Sequence, residues 1–410
     1  MTDSDRRRFL GTTAGALAAF AIQPTLSAAN HRSSAPLSIG LIGCGRQGRA
    51  VLAELQKIDG VQVAAVADPI AGRLRSGIRR ARGAKGHEDY RALLDDSAID
   101  AVIVATPTHL HRAVAVDALA ADKHVYCEAP LAATPADARA IAGAARESKR
   151  TFQTGLQGRS NPIYKLARSF FRSGALRDLV SLNAQDHDKT SWRIPSSDPA
   201  RERALNWRLD PEVSIGLAGE RGSHQFDVFH WFVGRYPTSV RGSGAVRYYQ
   251  DGREIADTAH CDLTFEDGVR LQWQGTLCNS YQGRYEQLSG SMAAIKLAWS
   301  AGWMFKEADS PTQGWEVYAN RQAFHNDEGI TLIADATKLA EQGKLKEGVG
   351  LPHPSLYYSL ADFVSCVNDG SPPPCSAEEG LRAAVIGEAA HRAVVSGDEI
   401  TISPAELEAR

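Results

Sequence analysis

The chain has 410 residues, more than one hydrophobic core usually serves, which predicts two domains. A net charge of −2 argues against nucleic acid or an anionic membrane surface as partner. A hydrophobic content of 43% beside 23% charged residues excludes a disordered or membrane-embedded class and fits a soluble globular protein.

In chain order, the first segment reads as an address and not as part of the fold. Asp5-Arg6-Arg7-Arg8-Phe9-Leu10-Gly11 is basic and precedes an uncharged Ala/Gly/Thr-rich run from Gly11 to Gln23. Ser27-Ala28-Ala29 then has the spacing of a small-residue cleavage site. The stretch resembles a twin-arginine export signal over residues 1–29, followed by a linker over 30–36. Its apolar run is too mild for a stable membrane span, so a cleaved signal is expected, with a retained N-terminal anchor as the alternative. Export of a folded protein implies a periplasmic or other extracytoplasmic location. Any nicotinamide cofactor would then have to travel bound.

Leu37-Ser-Ile-Gly-Leu-Ile-Gly43-Cys44-Gly45-Arg46-Gln47-Gly48 is an apolar strand that breaks into Gly-x-Gly-x-x-Gly and opens a helix. Gly43 permits the turn, Gly45 lets backbone approach a pyrophosphate, and Gly48 lets helix and strand pack closely. The helix N-terminus presents free N–H groups to phosphate. A second strand, 61–67, ends in Asp68, at the place of a ribose-binding carboxylate. Asp68 favours NAD through the ribose 2′-hydroxyl, while Arg73 and Arg75 leave NADP open.

Strands at 37–43, 61–67, 101–105, 124–127 and 151–154 alternate with helices near 47–57, 70–80, 88–95, 109–121 and 135–148. This predicts an α/β Rossmann domain over 37–155, a doubly wound parallel sheet with helices on both faces. Thr134-Pro135 reads as N-cap and first residue of its last helix. A helix near 161–173 then leads into strands at 178–186, 238–249, 258–266, 269–277 and 285–298. Glu266-Asp267-Gly268 marks a hairpin between two of them. This is the pattern of an α+β domain with a mainly antiparallel sheet over 156–350. Helices near 355–369 and 377–396 make a C-terminal segment, 351–410.

Six scattered cysteines show neither Cys-x-x-Cys nor zinc-type spacing, and buried reduced thiols are expected. Only Cys366 and Cys375 are close enough in sequence to suggest a disulfide. His109-x-His111 lacks carboxylate or cysteine partners nearby, so no metal site is expected.

Ala105-Thr106-Pro107-Thr108-His109-Leu110-His111 and Val125-Tyr126-Cys127-Glu128-Ala129-Pro130-Leu131, taken with the glycine loop, resemble the glucose–fructose oxidoreductase/inositol dehydrogenase (Gfo/Idh/MocA) family. The likeness continues through Gln153 to Ser160, Leu205-Asn206-Trp207-Arg208 and Gly219 to Asp227. It implies a Rossmann domain followed by an open-faced sheet domain, with a sugar, polyol or glycoside bound between them. It also implies a homo-oligomer, dimer or tetramer. The cofactor-binding set is Gly43, Cys44, Gly45, Arg46, Gln47, Gly48, Asp68, Thr106, Pro107, His111, Glu128 and Ala129.

The family's usual tripeptide is Glu-Lys-Pro, and here the lysine position is Ala129. A methyl group neither moves protons nor stabilises developing negative charge. The usual Asp-x-x-x-His becomes Glu220-x-x-x-His224, whose spacing predicts one helix face, with Glu220 orienting the imidazole or binding substrate. His224 is the acid–base candidate. Arg159, Asp186, His187, Trp192, Arg193, Trp207, Arg208 and Asp227 form the candidate sugar-binding set, an apolar face with directional hydrogen bonds. Trp299, Trp303 and Trp315 read as packing residues.

The expected function is an exported NAD(P)-dependent oxidoreductase acting on a sugar, polyol or glycoside. Its retained cofactor would be regenerated by a second substrate or within one redox-neutral turnover. A dinucleotide- and sugar-binding protein without turnover is the alternative that Ala129 raises.

Overall fold

The computed structural model describes residues 35–408 except 315, 317, 318, 335, 337, 338, 340, 341 and 343–349. Residues 1–29, read from the sequence as an export signal, most of the linker and Trp315 lie outside the described residues.

The first sheet follows from βα alternation. Strands β1 (Leu37–Ile42), β2 (Val61–Ala67), β3 (Lys85–His87), β4 (Ala101–Val104), β5 (His124–Cys127) and β6 (Phe152–Thr154) are all parallel, in the order β3-β2-β1-β4-β5-β6. Helices α1 (Arg46–Leu55), α2 (Ala71–Arg80), α3 (Tyr90–Leu94), α4 (His111–Ala120) and α5 (Pro135–Glu147) connect them. The central strands read Leu-Ser-Ile-Gly-Leu-Ile and Ala-Val-Ile-Val because both of their faces are covered. Chain order reverses between β1 and β4, which opens a crevice at the carboxyl ends of these strands. Thr134 accepts from the Asp137 N–H with Pro135 behind it, as its sequence predicts.

After α6 (Pro162–Arg172) comes a ten-stranded sheet, ordered β14-β15-β13-β12-β11-β7-β10-β9-β8-β16. Its strands are β7 (Leu179–His187), β8 (Pro237–Ala245), β9 (Thr258–Phe265), β10 (Arg270–Thr276), β11 (Arg284–Gly290), β12 (Ala293–Leu297), β13 (Gly302–Lys306), β14 (Arg321–Ala323), β15 (Glu328–Thr331) and β16 (Ile400–Thr401). Only β7 and β10 run parallel; the other pairings are antiparallel. Gly268 turns the β9–β10 hairpin at φ 84°.

The single strand expected over 285–298 is instead the β11–β12 hairpin. The chain reverses at Ser291-Met292, whose N–H groups donate to the Asp178 and Leu176 carbonyls. A Cβ on Gly290 would stand 2.2 Å from the Leu176 oxygen, so close backbone contact sets the reversal. The apolar alternation continues unbroken on both sides, which hides the turn in the sequence. Strands β3 and β13 to β16 are too short to leave a periodic signal, and helix α7 (Pro199–Leu205) buries none of its residues.

Helices α9 (Ser355–Asp369) and α10 (Ala377–Ser396) match the predicted bounds and join the two sheets. Leu356, Leu360 and Phe363 of α9 share a buried cluster with Leu41 and Tyr126 of the first sheet and Leu52 of α1. Leu381, Ala389 and Ala393 of α10 lie in the cluster that holds Val104, Val240 and Leu271. Alanines let α10 approach the second sheet so closely that a Cβ on Gly242 would meet the Val394 nitrogen at 2.7 Å. All six cysteines are free, including Cys366 and Cys375. No helix of the described residues is long and apolar enough to cross a membrane.

Candidate active site

The glycine loop lies at the crevice between β1 and β4. Gly43 has φ 100°. Gly45 is the N-cap of α1 and supplies no side-chain cap, so the first-turn N–H groups are free for an anion. The turn is otherwise filled: a Cβ on Gly48 would stand 1.9 Å from the Gly43 oxygen. This cradle fits a dinucleotide's pyrophosphate. Arg46 is exposed at its edge, and the Cys44 side chain packs inward.

Asp68 is buried, and its carboxylate accepts the Cys44 N–H at 2.8 Å and the Ile70 N–H at 2.8 Å. It braces the loop, and each oxygen keeps a lone pair for a ribose hydroxyl. Arg73 leans over Gly45, with Nη1 3.8 Å from the point where a Cβ there would lie, whereas Arg75 is exposed.

His111 is placed differently from its sequence expectation as a cofactor contact. It is fully buried, Nδ1 3.0 Å from the Pro130 oxygen and Nε2 3.0 Å from the Thr106 oxygen. It ties the loop after β4 to the loop after β5, which leaves its ring no open edge. The loop Thr106-Pro107 is thereby held at the crevice.

Glu128 is buried and accepts from Gln47 Nε2 at 2.8 Å. Burial pushes its carboxyl up to about 7. Because the folded value lies above the ordinary one, Glu128 contributes stability fully below about pH 4.5, and that contribution is lost as pH rises through about 7. Wild type should lose on the order of 3 kcal/mol more stability than Glu128→Gln between pH 4.5 and 8. Urea midpoints of both proteins at the two pH values check this; parallel losses would refute it.

His224 opens α8 (Ser223–Val233) and is hydrogen-bonded to the Ala129 backbone. The acid–base candidate and the residue at the lysine position are therefore in contact. Burial first, then the charges of Arg284, Arg221 and Arg208, hold His224 down at about 3, so it is neutral. Its Nδ1 is buried without a partner.

Glu220 does not orient His224. It sits in a wide turn, Ala218–Gly222, where Thr108 Oγ1 donates to Oε1 at 2.8 Å and Arg208 Nε donates to Oε2 at 2.9 Å. Each oxygen meets a donor from another segment, so Glu220 pins the crevice loop and Arg208 instead. Arg208 lies 4.2 Å over Trp207 and 5.7 Å from the Trp192 ring, and Trp207 meets His109 at 5.8 Å. Trp192 has φ 60°, a strained conformation for a bulky residue.

Asp186 lies at the end of β7 in the same neighbourhood, whereas His187, the next residue, leaves the opposite face of the sheet and shares the Tyr281 carbonyl with Gln185. Arg221 Nη1 lies 3.4 Å from Asp186 Oδ1, and Nη2 donates to Asp188 at 2.9 Å. Five buried polar atoms of this region have no partner among the described residues: Thr106 Oγ1, His109 Nδ1, Asp186 Oδ2, His224 Nδ1 and Arg284 Nη2. Buried polar groups are normally bonded, so this set is built to meet a hydroxyl-rich ligand.

Four residues of the predicted sugar set are placed elsewhere, His187 being the first of them. Arg159 donates to both oxygens of Asp227, the shortest bond 2.7 Å, and to Glu379 of α10 at 2.6 Å. Each is satisfied inside this buried network, which locks α10 and leaves neither free for substrate. Asp227→Ala should cost about 3 kcal/mol in chemical denaturation, since Arg159 keeps only Glu379; a change below about 1 kcal/mol would refute the network's role. Arg193 bonds the Asp251 carbonyl at 3.0 Å and lines a cavity of about 470 Å³ beside α7 with Glu202, Asn206 and Arg253.

Sequence reasoning missed Arg284, which has no motif around it, and treated Trp299 as packing alone. Trp299 does pack edge-on against Tyr164, but Arg284 also lies 4.0 Å over its ring.

Comparison with known proteins identifies the family of this fold. Residues 37–156 match the model of an oxidoreductase family with an NAD-binding Rossmann fold, and 190–402 match the family's C-terminal alpha/beta domain. Myo-inositol 2-dehydrogenase of Thermotoga maritima is 26% identical over 360 residues, covering 87% of this chain and 96% of that protein. The rhizopine catabolism protein MocA of Rhizobium meliloti is 26% identical, covering 86% and 93%. Levoglucosan dehydrogenase, solved with NADH and L-sorbose, shares the fold at a TM-score of 0.72 and 19% identity, covering 90% of this chain and all of that one. The glycine cradle, the loops at the crevice and the ten-stranded sheet thus place this chain in the Gfo/Idh/MocA family of NAD-dependent oxidoreductases.

Proposed function

We propose that the protein is an exported dehydrogenase of a sugar, polyol or glycoside that keeps its NAD bound between turnovers. The observation that carries this reading is the meeting of the glycine cradle's crevice with a cluster of buried, unpartnered polar atoms around His224. Inositol and levoglucosan dehydrogenases among the relatives support a polyhydroxylated substrate. NAD, when bound, supplies the hydride acceptor. Gly43 to Gly48 would hold its pyrophosphate and Asp68 its adenosine ribose. Asp186 and His109 would bind substrate hydroxyls. His224, neutral and with Nδ1 open, would receive the hydroxyl proton.

Export rests on Arg6-Arg7 and the small-residue site that follows. A passenger cofactor outside the cytoplasm favours a closed cycle, regenerated by a second substrate or within one redox-neutral turnover. A second copy of this chain on the open sheet face is the partner we propose, tested by light scattering. Ala129 supports a second reading, binding without turnover.

The deciding experiment isolates the exported protein, releases its nucleotide with denaturant and identifies it by mass. A panel of sugars and glycosides is then screened by nicotinamide absorbance and by product analysis. NAD together with turnover supports the proposal. NAD without any turnover supports the binding reading, and absence of nucleotide refutes both. Lysines at Arg6 and Arg7 should retain the protein in the cytoplasm; export unchanged would refute the twin-arginine route.

A further inference from the structure

Three arginines surround His224 and each faces a carboxylate, but among the described residues only Arg284 of the three keeps a buried nitrogen without a partner. Arg208 has Glu220 at 2.9 Å. Arg221 has Asp188 at 2.9 Å and Asp186 at 3.4 Å. Arg284 Nε donates to Glu286 Oε1 at 3.4 Å, a long bond to a carboxylate that two other donors share. Tyr164 donates to one of its oxygens and Gln225 donates to the other at 2.8 Å.

Arg284 is also placed as a ligand arm. It opens β11 directly opposite Asp186 of β7, so the two side chains leave the same face of the sheet. Trp299 lies 4.0 Å beneath its guanidinium and restrains the plane. Nη2 of Arg284 and Oδ2 of Asp186 are both buried and unpartnered, yet they do not bond each other. One needs an acceptor and the other a donor. His224 Nδ1 is the third open atom of the group.

We propose that the substrate is an acidic sugar or polyol whose carboxylate is received by Arg284 while a ring hydroxyl donates to Asp186. The inference rests on the dehydrogenase reading and narrows its substrate. A planar guanidinium with free N–H groups matches a carboxylate in two-point geometry, where a neutral hydroxyl offers one weaker contact. A phosphomonoester carries up to twice that charge, and Asp186, Asp188, Glu220 and Glu286 around the site would repel the excess. The same contact would help the chemistry. Arg284 is the largest charge that depresses His224, and a carboxylate on it would lift the imidazole toward useful basicity.

The test uses the nucleotide-loaded protein with D-glucuronate, D-galacturonate, their methyl glycosides, D-glucose and D-glucose 6-phosphate. Binding is read by tryptophan fluorescence and turnover by nicotinamide absorbance. A uronate or uronoside should exceed glucose by about 10- to 100-fold in kcat/KM or in affinity, the worth of one charged hydrogen-bonded contact. Arg284→Met should erase that preference with the nucleotide still bound, and Arg284→Lys should keep part of it. On wild type alone, added salt should weaken uronate binding more than glucose binding. Glucose handled as well as uronates, or the phosphate preferred, would overturn the acidic substrate and leave the dehydrogenase reading intact. No binding and no turnover by any member would overturn both.

Discussion

His224→Ala should lower turnover on the order of 10²-fold while bound NAD stays at the wild-type level. The loss sits at the low end for a general base because burial and three arginines hold the imidazole far below the working pH. His224 touches the Ala129 backbone, and the pyrophosphate cradle is Gly43 to Gly48, so nucleotide retention is the control that separates chemistry from binding. The free enzyme's kcat/KM should show no acid limb from His224 between pH 5 and 8, since the residue is already neutral there. Turnover unchanged in His224→Ala would assign the proton to another group. A loss of both turnover and nucleotide would point to a structural role.

Gly48→Ala should abolish nucleotide binding, about 100-fold or more in affinity, and cost roughly 1–3 kcal/mol of stability. Its Cβ would stand 1.9 Å from the Gly43 oxygen and 2.9 Å from the Gly43 carbonyl carbon, both backbone atoms. Helix α1 must move away from β1, and its N-terminal donors move with it. Gly45→Ala is the informative contrast. A Cβ there meets only the Arg73 guanidinium, at 3.8 Å, and the φ of −67° suits alanine. That variant should keep wild-type thermal stability within about 1 kcal/mol and still bind nucleotide poorly, because the methyl enters the space the pyrophosphate needs. Melting curves and equilibrium dialysis measure both effects. Tight binding by Gly48→Ala would remove the cradle from the argument.

The first sheet was legible because its signals are local. Val61 to Ala67 and Ala101 to Val104 are apolar runs between helical stretches, and such alternation leaves few topologies. Thr134 and Pro135 announce α5, and α9 and α10 carry long periodic faces. The second sheet was legible only in its long strands. The β11–β12 reversal is set by contact with Leu176, far away in the chain, and no periodicity records it.

Within the site, the identity of His224 could be read from spacing, but its environment could not. Glu220 stands four residues before it and still bonds Thr108 and Arg208, because a turn of 218–222 and a loop from the other sheet compete for the carboxylate. Arg159 and Asp227 look like sugar ligands in the sequence, and α10, 220 residues beyond Arg159, claims that pair through Glu379. Arg284 had no local signal at all.

The amino-acid sequence by itself determined the nucleotide cradle, the parallel sheet that presents it and the loss of a titratable group at Ala129. Those features depend on neighbours within a few residues and on one repeated pattern. Tertiary structure decided which polar groups are spent on one another and which remain open. That depends on distance across the fold: a buried donor or acceptor bonds whatever packing brings to it, and only the atoms left over can meet a substrate.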